Sequence, residues 1–479
     1  MSNPFNAKIE DIVIRKFNGS QNMSIMPQVA ELVIYQSIFA PIIKAQLLIQ
    51  DYVNLLDNFP IVGEETVEIT LIQGTTQNND QRIFARFVIS AIHNIEVAST
   101  NRELTYIIDL VSYESFKNAK TKVSHRYNET IEETIGSILK DYLKTDKLYT
   151  TFQDTTVARD LVIPNIRPFV AIEWLCKHAI SKDPVAYHTH LFYETLSGGQ
   201  AGSQGIAEPA FTFKSMQRPT WKGFQDDAAL QGAKNNSYYY ISNVELLKNP
   251  AIAAALNAQG INQDRLVIDI KFNKKYSTLE KILAGYFENE YVEVNPLQKD
   301  HLITRTTVRE PWTRLSVPYL NTDAYIDDVI NDRTESETSP RVRYIINSYS
   351  NQTDPSRRDK FGRSVRSHAA FSQIDLQIGI LTDLTMRPGD VIYVGLPEFH
   401  GFNEVNDNHF ITGYFFISEV KTIIRPSGET STLLHINKDS FENPIFPASR
   451  FNLGGGAGAG TGGTTVNTTT PSSSVRDSE

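Results

Sequence analysis

The spacing of apolar and polar positions changes period along the chain. In Glu65–Leu71, Val67, Ile69 and Leu71 alternate with Thr66, Glu68 and Thr70, the period-two signature of a strand with one buried face. Arg82–Ile92 and Leu104–Ser112 are long β-branched runs on either side of the polar stretch Ala98–Arg102, which predicts a hairpin. The period then lengthens. Ile131, Ile135, Ile138, Leu139, Tyr142 and Leu143 fall on one helical face behind a Thr130…Glu133 capping box. A second helix begins at Pro168, with Ile172, Leu175, Cys176 and Ala179 along one side. This α-rich block ends in the flexible loop Ser197–Gly205, after which Pro209–Met216 returns to strand character and reads as the opening strand of a further β unit. Asn249-Pro250 opens a short helix, and Ser277…Glu280 caps another with Leu279, Ile282, Leu283 and Tyr286 on one side.

Laid over this order is a repeat. FVIS at Phe87–Ser90 matches FFIS at Phe415–Ser418, and SFKN at Ser115–Asn118 matches SFEN at Ser440–Asn443, with three residues lost between the two matches. Upstream, Ala45–Asp51, a loop and Gly63–Leu71 correspond to Leu376–Asp383, a loop and Gly389–Leu396. Pro426-Ser427-Gly428 marks the second hairpin's turn. Three matches in one order indicate a β unit present twice, and long antiparallel hairpins of this kind predict barrels. The expected fold class is α+β, mostly β: two duplicated antiparallel tube-type β-barrels with α-rich insert domains. The expected division is a first barrel at 1–118, an α-rich insert at 119–205 and a discontinuous second barrel at 206–245 and 372–450. A second α/β insert spans 246–371, and the Gly/Thr/Ser tail 451–479 has the composition of a disordered segment.

At 479 residues the chain exceeds one core, and 41% hydrophobic with 10% aromatic residues is ample for packed interiors. A net charge of −9, with no basic run interleaved with aromatics, argues against a surface built to grip phosphates. The single cysteine, Cys176, excludes an internal disulfide and reads as a buried thiol. The N-terminal MSNPFNAKIED lacks a secretory pattern, and no apolar run approaches 18 residues, so folding in a reducing cytoplasm without membrane insertion is expected.

Candidate chemistry is sparse. His188 and His190 share a strand face without a third ligand at metal spacing. Glu398, His400, Glu404, Asp407 and His409 crowd one loop but read as solvated polar residues. Gly454–Gly460 lacks the strand, helix and Lys-Ser/Thr of a phosphate cradle. Arg387-Pro388-Gly389-Asp390 reads as a turn before a strand. Glu64-Glu65 and Asp327-Asp328 are sequence neighbours whose side chains point apart on a strand, so neither pair can flank one bond. No catalytic, cofactor-binding or metal residues are assigned, and no enzymatic activity is expected.

Ser37–Leu71, Ile163–Ser181 and Leu384–Pro397, with the SFKN and SFEN ends, resemble the baseplate hub proteins of contractile-tailed bacteriophages, relatives of the N-terminal part of type VI secretion spikes. The likeness covers about residues 30–450. It implies barrels like tail-tube subunits and a homotrimeric ring. It further implies a virion location in the tail baseplate, assembly in the host cytoplasm, and a role joining a six-fold tube to a three-fold central spike. Implied partners are that spike, a tail tube or tube-initiator protein, baseplate wedge proteins and the tape measure protein, with double-stranded DNA only passing through. An alternative keeps the barrels for tail-tip receptor or glycan binding, with Tyr238-Tyr239-Tyr240 as its aromatic platform. A cell-wall hydrolase ranks last.

Overall fold

A computed structural model of the chain describes residues 7–16, 19, 21–63, 65–73, 81–97, 103–145, 147, 151–152, 155, 159–182, 189–197, 206–216, 237–240, 266–274, 277–285, 288–296, 299–307, 342–346, 364–365, 368, 371, 374–395, 412–428 and 430–438. The SFEN end of the repeat at Ser440–Asn443, the tail, Glu64, Asp327-Asp328, His188, the helix expected at Asn249-Pro250 and the acidic loop 398–409 lie outside these residues.

The first β unit contains β1 (Ala7–Arg15), β2 (Asn22–Ser24), β3 (Val29–Ser37), β4 (Lys44–Asp51), the short helix α1 (Leu55–Asn58), β5 (Thr66–Gln73), β6 (Gln81–Val97) and β7 (Leu104–Ser112). Its strands run in the spatial order β2-β1-β5-β6-β7-β4-β3, antiparallel throughout. The period-two apolar positions point to one side, so Ile12, Leu32, Leu47, Ile69, Phe87 and Ile108 share a single core and the sheet wraps around it.

Next comes the first insert: α2 (Glu114–Lys120), β8 (Val123–Glu129), α3 (Ile131–Asp141), β9 (Thr151–Phe152), β10 (Arg159–Ile166), α4 (Pro168–His178), β11 (His190–Thr195), β12 (Ile206–Ala207) and β13 (Ala210–Ser215). Helix α3 starts where the Glu133 carboxylate accepts the Thr130 N–H at 3.0 Å, and it buries Ile131, Ile135, Ile138 and Leu139. Helix α4 has Pro168 in its first turn and buries Ile172, Leu175 and Cys176 against the same core. Strand β13 is not the opening strand of the second barrel: it lies between β11 and β9 in a three-stranded insert sheet. Its apolar run reads as barrel strand because a strand carries no mark of its partner; the fully buried Phe211 and Phe213 fill the insert core instead.

The second region holds β14 (Ser237–Tyr240), β15 (Leu266–Lys274), α5 (Thr278–Leu283), β16 (Glu288–Asn295), β17 (Asp300–Thr307), β18 (Val342–Ile346), β19 (Ile374–Ile380), β20 (Val391–Gly395), β21 (Gly413–Ile424) and β22 (Thr430–Lys438). Strands β16–β18 form a separate sheet. Glu280 N–H reaches Ser277 Oγ at 3.4 Å before α5, but Leu279 and Leu283 are exposed rather than packed. Strand β15, which the apolar pattern places in the second insert, pairs with β19 in the main sheet. The pairings β21-β20-β14-β15-β19-β22-β21 close on themselves. Closure departs from an all-antiparallel barrel at β14, which is parallel to both neighbours.

The duplication is geometric as well as sequential. β5-β6-β7-β4 and β20-β21-β22-β19 have the same order and directions. Val67 faces Phe87 as Ile392 faces Phe415. Ile89 faces Leu110 as Ile417 faces Ile436, and both ladders slip by one residue immediately after, at Ser90 and Ser418. The second hairpin is two residues shorter than the first by this register.

Candidate functional site

The two units are joined edge to edge. β21 of the second pairs antiparallel with β3 of the first, from Glu419↔Ser37 to Ile424↔Leu32, which makes one continuous sheet of both. Side chains reinforce the seam. Ser37 Oγ donates to Glu419 at 3.2 Å, Arg425 meets Glu31 at 2.7 Å, and the Lys421 ammonium lies 5.4 Å from the Tyr35 ring centre. Leu384, in the β19–β20 connection, is 2% exposed because it enters the first unit's core, and its N–H donates to Gln73 Oε1 at 2.6 Å.

Eight strands therefore run side by side as β6-β7-β4-β3-β21-β22-β19-β15. One face is buried in the two cores. The other carries His93, Asp109, Lys44, Gln46, Tyr35, Glu31, Glu419, Lys421, His435, Gln377, Asp269 and Lys271. Both charge signs are interleaved, and several are locally paired. Gln46 donates to Asp109 at 2.9 Å, and His93 lies 3.3 Å from the same carboxylate. Such a face has no extended positive field to hold a polyanion.

Two buried polar constellations clamp the first insert to this sheet. Lys147 bridges Glu114 at 2.7 Å and Glu194 of β11. The Glu194 carboxylate also accepts the Ile43 N–H at 2.9 Å and the Ser112 hydroxyl of β7. Burial opposes the charge on Glu114, but the Lys147 ammonium and the Thr145 hydroxyl outweigh it and hold the carboxyl below its ordinary range. Burial likewise opposes the Lys147 charge, and Glu194 with Glu114 outweighs it, raising the ammonium's pKa. The second constellation is the Arg387–Asp390 turn. Lys214 donates to Gly389 O at 2.7 Å, and Arg387 Nε to Ser197 at 3.2 Å. Gly389 has φ +87°, and a Cβ there would sit 1.9 Å from Tyr193 Oη. Burial raises the pKa of Tyr193 and of Asp390 and lowers that of Lys214.

The sequence-derived candidates are not brought together. His190 is buried on β11, stacked on Phe213 at 5.2 Å, and Cys176 is buried on α4. Both border a cavity of about 640 Å³ between the first insert, Phe39 and residues such as Arg343 and His368. Among the described residues no group of three or more His, Cys, Asp or Glu could hold a metal, and no helix is long and apolar enough to cross a membrane. Glu65 turns inward, where its carboxylate accepts the Gly63 N–H at 2.9 Å and meets Lys16 at 2.9 Å. Tyr238–Tyr240 form β14, a backbone bridge between β20 and β15. Sequence reasoning missed Glu114, Lys147 and Glu194. No motif links them, because their meeting depends on how β11 docks against the end of β7.

No protein-family model and no curated protein matches the chain. Among solved structures, it is similar to a tail protein from Neisseria meningitidis at 9% identity and a TM-score of 0.48, covering 90% of this chain and 96% of that one. A 43 kDa tail protein of prophage MuSo2 from Shewanella oneidensis matches at 10% identity and 0.49, covering 90% and 98%. An Escherichia coli component of the type VI secretion system, described as similar to bacteriophage T4 tail proteins, matches at 9% and 0.41, covering 92% and 79%.

Proposed function

We propose that the chain is a structural virion protein, the central hub of a tail baseplate. Three copies form a ring that is pseudo-six-fold on one face and three-fold on the other. The ring joins a six-fold tail tube, or its initiator, to a three-fold central spike and lines the channel for DNA. The observation that supports this most is the repeated unit itself: one chain holds two copies of the same four-stranded order, with the same bulge, joined edge to edge. Closed rings need heterologous contacts, and two tandem copies per chain let three chains present six equivalent units. The interleaved charges on the exposed sheet face suit a wall along which DNA slides without sticking. The inserts are then free to meet the spike, the baseplate wedge proteins and the tape measure protein. In this reading the buried polar constellations are structural clamps.

Native mass measurement tests the proposal. A species near three times 54.0 kDa is expected, alone or with the spike. A strict monomer under both conditions overturns it.

A further inference from the structure

Each unit of the repeat has two lateral edges, and the chain itself shows how such edges meet. In the second unit, the outer stretch of β21, Glu419–Ile424, is covered by β3, and Val420, Thr422 and Ile424 are buried. The equivalent stretch of the first unit is the end of β6. Strand β5 covers β6 only as far as Val88, so beyond it that edge carries no strand among the described residues. Ile95 is 55% and Val97 71% exposed there. An exposed apolar edge is a template for another strand.

The matching edge lies at the chain's other end. Strand β15 stands to β19 as β3 stands to β4: Ile270 faces Ile378 where Leu32 faces Leu47, both antiparallel. On its other side, the described residues of β14 pair with β15 at Leu266 and Val267, and the side chains of Ile268 and Asp269 beyond them are exposed.

A second, independent feature repeats the asymmetry. The β19–β20 connection buries Leu384 and Met386, Leu384 in the neighbouring unit. Its counterpart between β4 and β5 exposes Tyr52 at 64% and Val62 at 73%. Leu55 and Phe59 of that connection enter their own unit's core, so the exposure is confined to positions such as Tyr52, the counterpart of Leu384, which is covered where a neighbouring unit exists within the chain.

We infer that the end of β6 in one copy pairs antiparallel with β15 of a second copy, while the Tyr52–Val62 loop packs on that copy's second unit, reproducing the β21–β3 seam between chains. The inference rests on the ring reading above and specifies its interface. Carried across the repeat, the Lys421↔Tyr35 pair becomes His93 of one copy facing the Asn273–Lys274 bulge of the next, because Lys274 faces Asp375 as Tyr35 faces Lys44, with three such seams closing the sheet.

The test is a chain carrying His93→Cys and Asn273→Cys, treated with a short bismaleimide that tolerates the β-bulge at Asn273; the native Cys176 is buried. Crosslinked dimer and trimer are expected, with the series ending at three chains, and neither single variant should give a trimer. Val62→Asp, at a side chain 73% exposed where the backbone N–H, not the side chain, contacts Glu65, should weaken the trimer in native mass measurement. A wild-type trimer whose double-cysteine form does not crosslink overturns the interface but leaves the ring reading standing. A strict monomer both alone and with the spike overturns both.

Discussion

The two copies of the β unit share strand order, directions and bulge, yet their surroundings differ. β21 is clamped along its outer half, and Val420 on it is fully buried. The equivalent Ile92 on β6 is only half-buried, beside an edge that carries no strand among the described residues. The second unit closes its pairing cycle through the borrowed strands β14 and β15. The first unit spends its corresponding edge, β3, on the seam with the second. Equal backbones therefore carry unequal burial, and stability at matched positions is set by the neighbour rather than by the repeat. Both copies are also fastened differently to the same insert: the first through Lys147 and two carboxylates, the second through a glycine that leaves room for Tyr193.

The largest way to break this arrangement is Lys147→Ala, which leaves Glu114 and Glu194 buried without their cation. Loss of one partner from a buried charge group costs about 3–5 kcal/mol, expected as an earlier first transition in calorimetry. In the wild type, the lowered Glu114 pKa means its contribution is present above the ordinary carboxylate range and lost as pH falls through the lowered value. The raised Lys147 pKa means its contribution persists until pH rises through that raised value. In the variant the Glu114 carboxyl, whose burial is no longer offset by the ammonium, takes up a proton, so the deficit should shrink on acidification. A deficit unchanged by pH contradicts the charge account.

Gly389→Ala follows. It combines a left-handed backbone with a clash against Tyr193, together about 2–4 kcal/mol. The expected signature is faster proteolysis at the insert's contact with the second unit, and Tyr193→Phe in the same chain should recover part of it by removing the nearest atom.

The smallest effect sharpens the comparison most directly. Val420→Ala should cost about 1.5–2 kcal/mol in the isolated chain, whereas Ile92→Ala, at the matched position, should cost less than about 1 kcal/mol there despite removing more carbon. Chemical denaturation checks both. Equal losses in the monomer mean that the β6 edge is already covered.

Much of the fold was legible. The FVIS and FFIS matches predict equivalent strands, and the register bears this out down to the slip at Ser90 and Ser418, because strand period ties each side chain to a face. The helix beginning at Pro168 and the Thr130…Glu133 box were equally readable, since their signals lie within one turn. What failed were partnerships. Pro209–Met216 reads as a barrel strand but joins the insert, and β15 reads as insert but completes the second unit. Backbone hydrogen bonds are the same for every partner, so a strand's neighbours are not written in its own residues. Cys176 is buried, as its apolar helical face predicts, and His190 packs against Phe213; the buried network was not legible, because it came from three positions that no spacing connects.

By itself, then, the sequence determined which face of each strand and helix is buried, and that one unit occurs twice, because both follow from local periodicity and likeness. Only the tertiary structure decided which edges are spent within the chain and which remain open. That choice depends on long-range contacts such as Leu384 entering the first core and β3 reaching β21, whose energy arises only when distant segments exclude water together.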